Sequence, residues 1–199
     1  PQESTVIVLG DENLLKSSLS VLPEKSPWNV TMGYPLKNTL LTVFLRLYFE
    51  LHESHSQKGF PHRKLKEFSI LIFVKRILKK TNSSSNLLFK KNLNYIHADD
   101  LCKNDKTGAL FYTPFKNSKQ FLKQIEQIIK ITRNNFVAEE DEPYHIQVCD
   151  IFLGFFEKLN QYCQDYNFIK SVSDLRIVFE TILSEETLNF DGDPLFGIQ

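Results

Sequence analysis

The sequence predicts a mainly α fold with a small β part. Long stretches whose apolar residues recur at steps of three and four predict amphipathic helices over most of the chain. Runs suited to strands are short and lie chiefly near the N-terminus, at Thr5–Gly10 and Trp28–Met32. The 17 Phe against only 7 Gly agree with this, because phenylalanine has no polar handle and is stable mainly inside packed helices and sheets.

Taken in order, "TVIVLG" is a β-branched run ending in Gly10, the pattern of a buried parallel strand. "DENLLKSSLSVLPE" reads as a helix capped by Asp11 or Asn13, with Leu14, Leu15, Leu19 and Leu22 as its apolar stripe and Pro23 as its end. "WNVTM" is a second strand, and Gly33-Tyr34-Pro35 turns the chain. A helix capped by Asn38 or Thr39 then runs to about His52. It is apolar nearly all round, as expected of a helix covered on more than one side.

"SHSQKGFPHR" reads as a loop, followed by helices at Phe68–Lys80 and Ser85–Leu93 with the polar "TNSSSN" between them. "IHADDLCKNDKTGALFYTPF" reads as irregular, with a Thr-Gly turn and a small strand. The helix predicted over Asn117–Thr132 carries Phe121, Leu122, Ile125, Ile128 and Ile129 on one face, with Gln120 placed for a capping box. "AEEDEP" puts acids and Pro143 where a helix start favours both. In that helix Val148, Phe152, Phe155, Leu159, Tyr162 and Tyr166 form a packing seam. Ser173-Asp174 caps a last helix to about Leu183, and the tail "NFDGDPLFGIQ" is turn-rich.

At 199 residues the chain is long enough to bury a real core. Cys102, Cys149 and Cys163 form no CxxC pattern, so neither a zinc knuckle nor a disulfide framework is indicated, and a cytoplasmic setting is expected. Cys149 and Cys163 fall on an apolar helix and read as core residues. The most apolar run, Phe68–Leu78, is interrupted by Lys75-Arg76 and too short for a bilayer, so no membrane partner is expected. The chain opens on Pro1 rather than Met, the start expected of a piece of a longer protein.

Net charge is zero, yet the charges are separated. Lys58–Lys91 holds ten basic residues against Glu67 alone, a net +9. Glu139–Gln199 holds thirteen acids against Lys158, Lys170 and Arg176, a net −10. Two readings follow: a basic face for a polyanion, or two segments that dock on each other. For the first, Arg63, Lys64, Lys75, Arg76, Lys79, Lys80, Lys90 and Lys91 are the candidate DNA-contacting residues, acting through phosphates. Phe68 and Phe73 interleave with them, but inside an apolar run core burial is the better reading than base stacking.

No catalytic set is present. No GxxxxGK[ST] cradles phosphates, and "DDLCK" at Asp99–Lys103 lacks the spacing of a nuclease metal site. His52 and His55 share a helix face without a third ligand. No cofactor is expected.

Three segments together resemble the AddB-type subunit of bacterial helicase–nuclease complexes. They are "TVIVLGDENLLKSSLSVLPE" (5–24), "WNVTMGYPLKNTLLTVFLRL" (28–47) and "LNFDGDPLFGIQ" (188–199), in the family's order. That subunit combines an inactivated superfamily I helicase body with a C-terminal PD-(D/E)XK exonuclease domain. The resemblance implies a partial RecA-like α/β unit at 1–54, a helical insertion domain at 55–187 and a segment returning to the sheet at 188–199. It also implies a helicase–nuclease partner subunit and a role in DNA break repair, with the nuclease residues beyond Gln199. Active relatives place an arginine after the first strand, whereas this chain reads Gly10-Asp11-Glu12, and "LKNT" (36–39) replaces their acidic patch. Both departures fit an ATPase half-site without function. The rival reading is a helical protein-interaction module with no DNA role.

Overall fold

A computed structural model describes residues 7–11, 14, 17–18, 20–22, 34–71, 74–75, 93–102, 106–115, 117–138, 143–165, 169–185 and 187–188. It is mainly α with a small β part. The chain divides into two compact units, residues 1–39 with 181–199, and residues 40–180.

In the first unit, strand β1 (Tyr34–Pro35) pairs antiparallel with the late strand Thr187–Leu188, in the register Tyr34↔Leu188 and Pro35↔Thr187. A 3₁₀ turn follows at Leu36–Asn38, closed by Thr39 donating Oγ1–H to the Leu36 carbonyl at 2.9 Å. The residues expected to turn the chain therefore form a strand. The expected strand at Thr5–Gly10 is corrected over its described part: Ile7–Gly10 is irregular, with Ile7 46% and Val8 86% exposed. A β-branched run becomes a strand only where another edge takes its hydrogen bonds, and no described residue pairs with it. Of the helix expected after it, the described residues are Leu14 in a 3₁₀ turn, residues 17–18, which are helical, and the bends and turns at 20–22. The "WNVTM" strand, the Ser85–Asn92 part of the Ser85–Leu93 helix and the tail from Asn189 lie outside the described residues.

The second unit is built around helix α1 (Leu40–Glu53). Its residues Leu41, Thr42, Phe44, Leu45, Tyr48, Phe49, Leu51 and His52 are all buried, which explains its nearly continuous apolar character. Strand β2 (Phe60–Pro61) follows, then helix α2 (His62–Ser69). Strand β3 (Tyr95–Ile96) pairs antiparallel with β2, so the segment read as a loop carries a ladder. Pro61 at the N-cap of α2 suits a helix start, since it lacks an N–H that would be left over there. Helix α2 thus begins before Phe68 and ends at Ser69. Residues 74–75 are helical again, so the helix expected at Phe68–Lys80 is interrupted around Ile70–Leu71.

Two short helices, α3 (Ala98–Cys102) and α4 (Lys106–Tyr112), occupy the stretch read as irregular. The long helices α5 (Ser118–Ala138) and α6 (Pro143–Asp165) pack against each other, and α7 (Val172–Glu185) precedes strand β4 (Thr187–Leu188). The starts of α5 and α6 carry residues expected there. Asn117 accepts the Gln120 N–H on Oδ1 at 3.0 Å, and α6 opens on Pro143. The cap of α7 is Ser171, two residues before the expected position. Its Oγ accepts the Asp174 N–H at 3.1 Å while Asp174 Oδ2 accepts the Ser171 N–H at 2.9 Å, a reciprocal capping box.

The core of this unit is aromatic. Phe44 and Tyr48 of α1 meet Phe68 of α2 at 5.5 and 5.7 Å between ring centres. Phe49 meets Phe121 of α5 at 4.8 Å and Phe179 of α7 at 5.2 Å. Phe156 of α6 stacks on Phe179 at 5.9 Å. Helix α1 thus touches α2, α5 and α7 through its aromatic side chains, and α6 joins the cluster through Phe179. The expected α6 seam holds for Val148, Phe152, Phe155 and Leu159, all buried. It fails at Tyr162, which is 49% exposed while Cys163 is buried in its place. Tyrosine can keep its hydroxyl wet at a seam's end, whereas the small thiol fits inside.

Candidate functional site

The basic segment is the sequence's only candidate site, and the structure divides its members. Arg63 and Lys64 lie on the first turns of α2, where Pro61 and the β2–β3 ladder fix the start of the helix. Arg63 donates Nε–H to Glu67 Oε1 at 2.9 Å, one helical turn on. Lys64 donates from Nζ to Glu50 Oε2 of α1 at 2.6 Å and lies 3.6 Å from Glu67 Oε2. The Glu50 hydrogen bond raises the Lys64 pKa, and the Lys64 hydrogen bond lowers that of Glu50. Arg176 of α7 joins the same cluster, with Nη1 2.7 Å from Glu53 Oε2 and Nη2 3.3 Å from Glu50 Oε1. Lys64 and Arg63 are therefore paired with carboxylates of the chain itself, and the network links α1 to α2 and α7.

Lys75 is exposed and has no ion pair among the described residues. Lys58 and Lys66, also basic and exposed, are in the same condition. Arg76, Lys79, Lys80, Lys90 and Lys91 lie outside the described residues. Phe68 is fully buried against Phe44 and Tyr48 and so belongs to the core, as its apolar setting implied. Phe73 and Phe89 lie outside the described residues.

Arginines and lysines are used differently. Arg46 grips Glu180 with both nitrogens, Nε to Oε1 at 2.8 Å and Nη2 to Oε2 at 2.7 Å. Arg133 of α5 is likewise bidentate on Asp150 of α6, with Nη2 3.1 Å from Oδ2. With Arg63 and Arg176, every described arginine is thus held by a carboxylate of the chain. The planar guanidinium fork suits such fixed pairs, while lysine remains a mobile, hydrated charge. Three exposed lysines that sequence reasoning did not single out, Lys119, Lys123 and Lys130, share the outer face of α5. Their i, i+4 and i+11 spacing was legible once that helix was drawn, but the basic run between Lys58 and Lys91 outweighed it.

The remaining candidates have other roles. His52 is 8% exposed and donates Nε2–H to the Phe111 carbonyl at 3.0 Å. Its ring lies 4.5 Å from both Tyr48 and Phe115. Burial lowers its pKa to about 3, so it is a neutral core group. Burial likewise pushes the Cys149 thiol up to about 12, which makes it a poor nucleophile. Asp99 and Asp100 sit in the first turn of α3, where carboxylates favour the helix dipole. Among the described residues no group of His, Cys, Asp and Glu converges as a metal site. No described helix is long and apolar enough to cross a membrane.

Comparison with protein-family models, with curated proteins and with solved structures found no match.

Proposed function

We propose that this chain is a non-catalytic DNA-holding scaffold segment of an AddB-type helicase–nuclease, acting in the cytoplasm during double-strand break repair. The observation that carries this reading is the β1–β4 ladder. It pairs Tyr34–Pro35 with Thr187–Leu188, which flank the helical residues 40–180 in sequence. An insertion domain must leave and rejoin its parent at neighbouring points, and this pairing supplies them. The two ladder strands flank or enter the stretches that carry the family resemblance, "VTMGYPL" and "LNFDGDPLFGIQ". A RecA-like sheet is parallel, so its own strands would come from other residues than this antiparallel pair.

The grip on DNA is assigned to Lys75, Arg76, Lys79 and Lys80, with Lys90 and Lys91. Arg63 and Lys64 move to a supporting role, because their charge is already shared with Glu67 and Glu50. Changing Lys75, Arg76, Lys79 and Lys80 together to Glu is expected to abolish binding of labelled duplex DNA, read by fluorescence anisotropy. The unaltered chain is expected to bind with a Kd of roughly micromolar or weaker, lost steeply as salt rises. Binding that survives the four changes removes this segment from the DNA interface.

The second reading, a protein-interaction module with no DNA role, is favoured by the internal pairing of Arg63 and Lys64. Titration with the nuclease partner subunit separates the two readings. Tight binding of the partner with no DNA affinity at low salt would replace the first by the second.

A further inference from the structure

Helix α5 presents a second basic surface. Its buried side, from Phe121 through Ile128 and Ile129 to Phe136, packs into the core, which fixes the direction of the opposite face. At about 100° per residue, Lys119, Lys123 and Lys130 fall within roughly 40° of arc on that opposite face. All three are exposed, as are Gln127 and Asn134 beside them. None of the lysines has an ion pair among the described residues. The helix carries one acid, Glu126, half-buried at the edge of the stripe. On the neighbouring α6, Asp150 is occupied by Arg133, and the exposed Glu157 is followed by Lys158.

We propose that the Lys119–Lys123–Lys130 stripe of α5 is a phosphate-backbone contact surface that extends the DNA grip of this chain. The inference rests on the DNA-holding reading above but uses different residues. Like-charged lysines repel one another, and an anionic partner relieves that repulsion. The stripe is about 16 Å long at 1.5 Å rise per residue, a length over which duplex DNA carries about ten phosphates. Lysine ammonium groups and amide side chains suit phosphate contact, which positions a duplex without reading its sequence. The planar arginine forks that recognise guanine edges are, in this chain, committed to carboxylates wherever they are described.

The test uses the whole chain with Lys119, Lys123 and Lys130 all changed to Gln. Because these side chains are exposed, the thermal midpoint by circular dichroism should stay unchanged. Affinity for labelled duplex DNA at low salt should fall at least tenfold. The slope of log affinity against log salt should flatten by about 2 to 3, near 0.9 for each phosphate contact removed. An unchanged slope and affinity overturns the inference. If that happens while the Lys75/Arg76/Lys79/Lys80 variant is still inactive, the proposed function stands without it. If the α5 variant loses binding and the other variant keeps it, the DNA surface is α5 and the basic segment is excluded. Binding of polyglutamate in preference to DNA, lost in the α5 variant, would overturn phosphate recognition in favour of an acidic protein partner.

Discussion

His52 shows how a single residue sets a condition on the whole fold. Its neutral ring is enclosed by Tyr48, Phe60, Phe115 and Phe121, and His55 adds a further unfavourable charge. The folded pKa of about 3 lies below the ordinary value of 6.5. The unfolded chain therefore takes up a proton that the folded chain refuses, and stability is lost as pH falls from the ordinary value toward the folded one. The contribution of His52 to this loss is about 1.4 kcal/mol per pH unit. Urea unfolding at successive pH values should show the slope, and His52→Gln should flatten it by that amount. Gly59 is the other exacting position. Its φ of +102° is one that L residues rarely adopt, and an added Cβ would collide with the Ile96 carbonyl across the β2–β3 ladder. Gly59→Ala should cost roughly 2–3 kcal/mol, read from the urea midpoint.

At the level of elements, the parts with strong local signals were legible. Helices α5, α6 and α7 were announced by capping residues and by apolar spacing that only a buried face explains. Asn117 is the clearest instance, because its side chain accepts the free Gln120 N–H in the first turn of α5. Asn117→Ala should lower stability by about 1 kcal/mol in thermal unfolding, without changing the helix's packed face. The helix end was less legible: α5 continues to Ala138, since Phe136 is buried where the sequence shows only a polar "RNN" run before it. Pairing partners were the least legible part. The ladders β1–β4 and β2–β3 are two residues long on each side and join segments far apart in sequence, so no window of local pattern reports them. The same limit explains Ile7–Gly10, whose β-branched residues have strand propensity but no described partner. The candidate site was legible as composition only. Which lysines are paired depends on Glu50 and Glu67, whose proximity is created by the packing of α1 against α2.

For the whole molecule, the main result is a helical unit, residues 40–180, whose described arginines are committed to internal carboxylates while several of its described lysines are exposed. The proposed function is that such a body holds a polyanion by charge without breaking a bond. The measurement that tests this most directly is electrophoresis of end-labelled linear duplex DNA incubated with the chain and Mg²⁺ at low salt. The account expects the DNA to be retarded in the native gel and recovered at full length after the protein is removed. DNA that migrates freely, or that is reproducibly shortened by the chain, would contradict it.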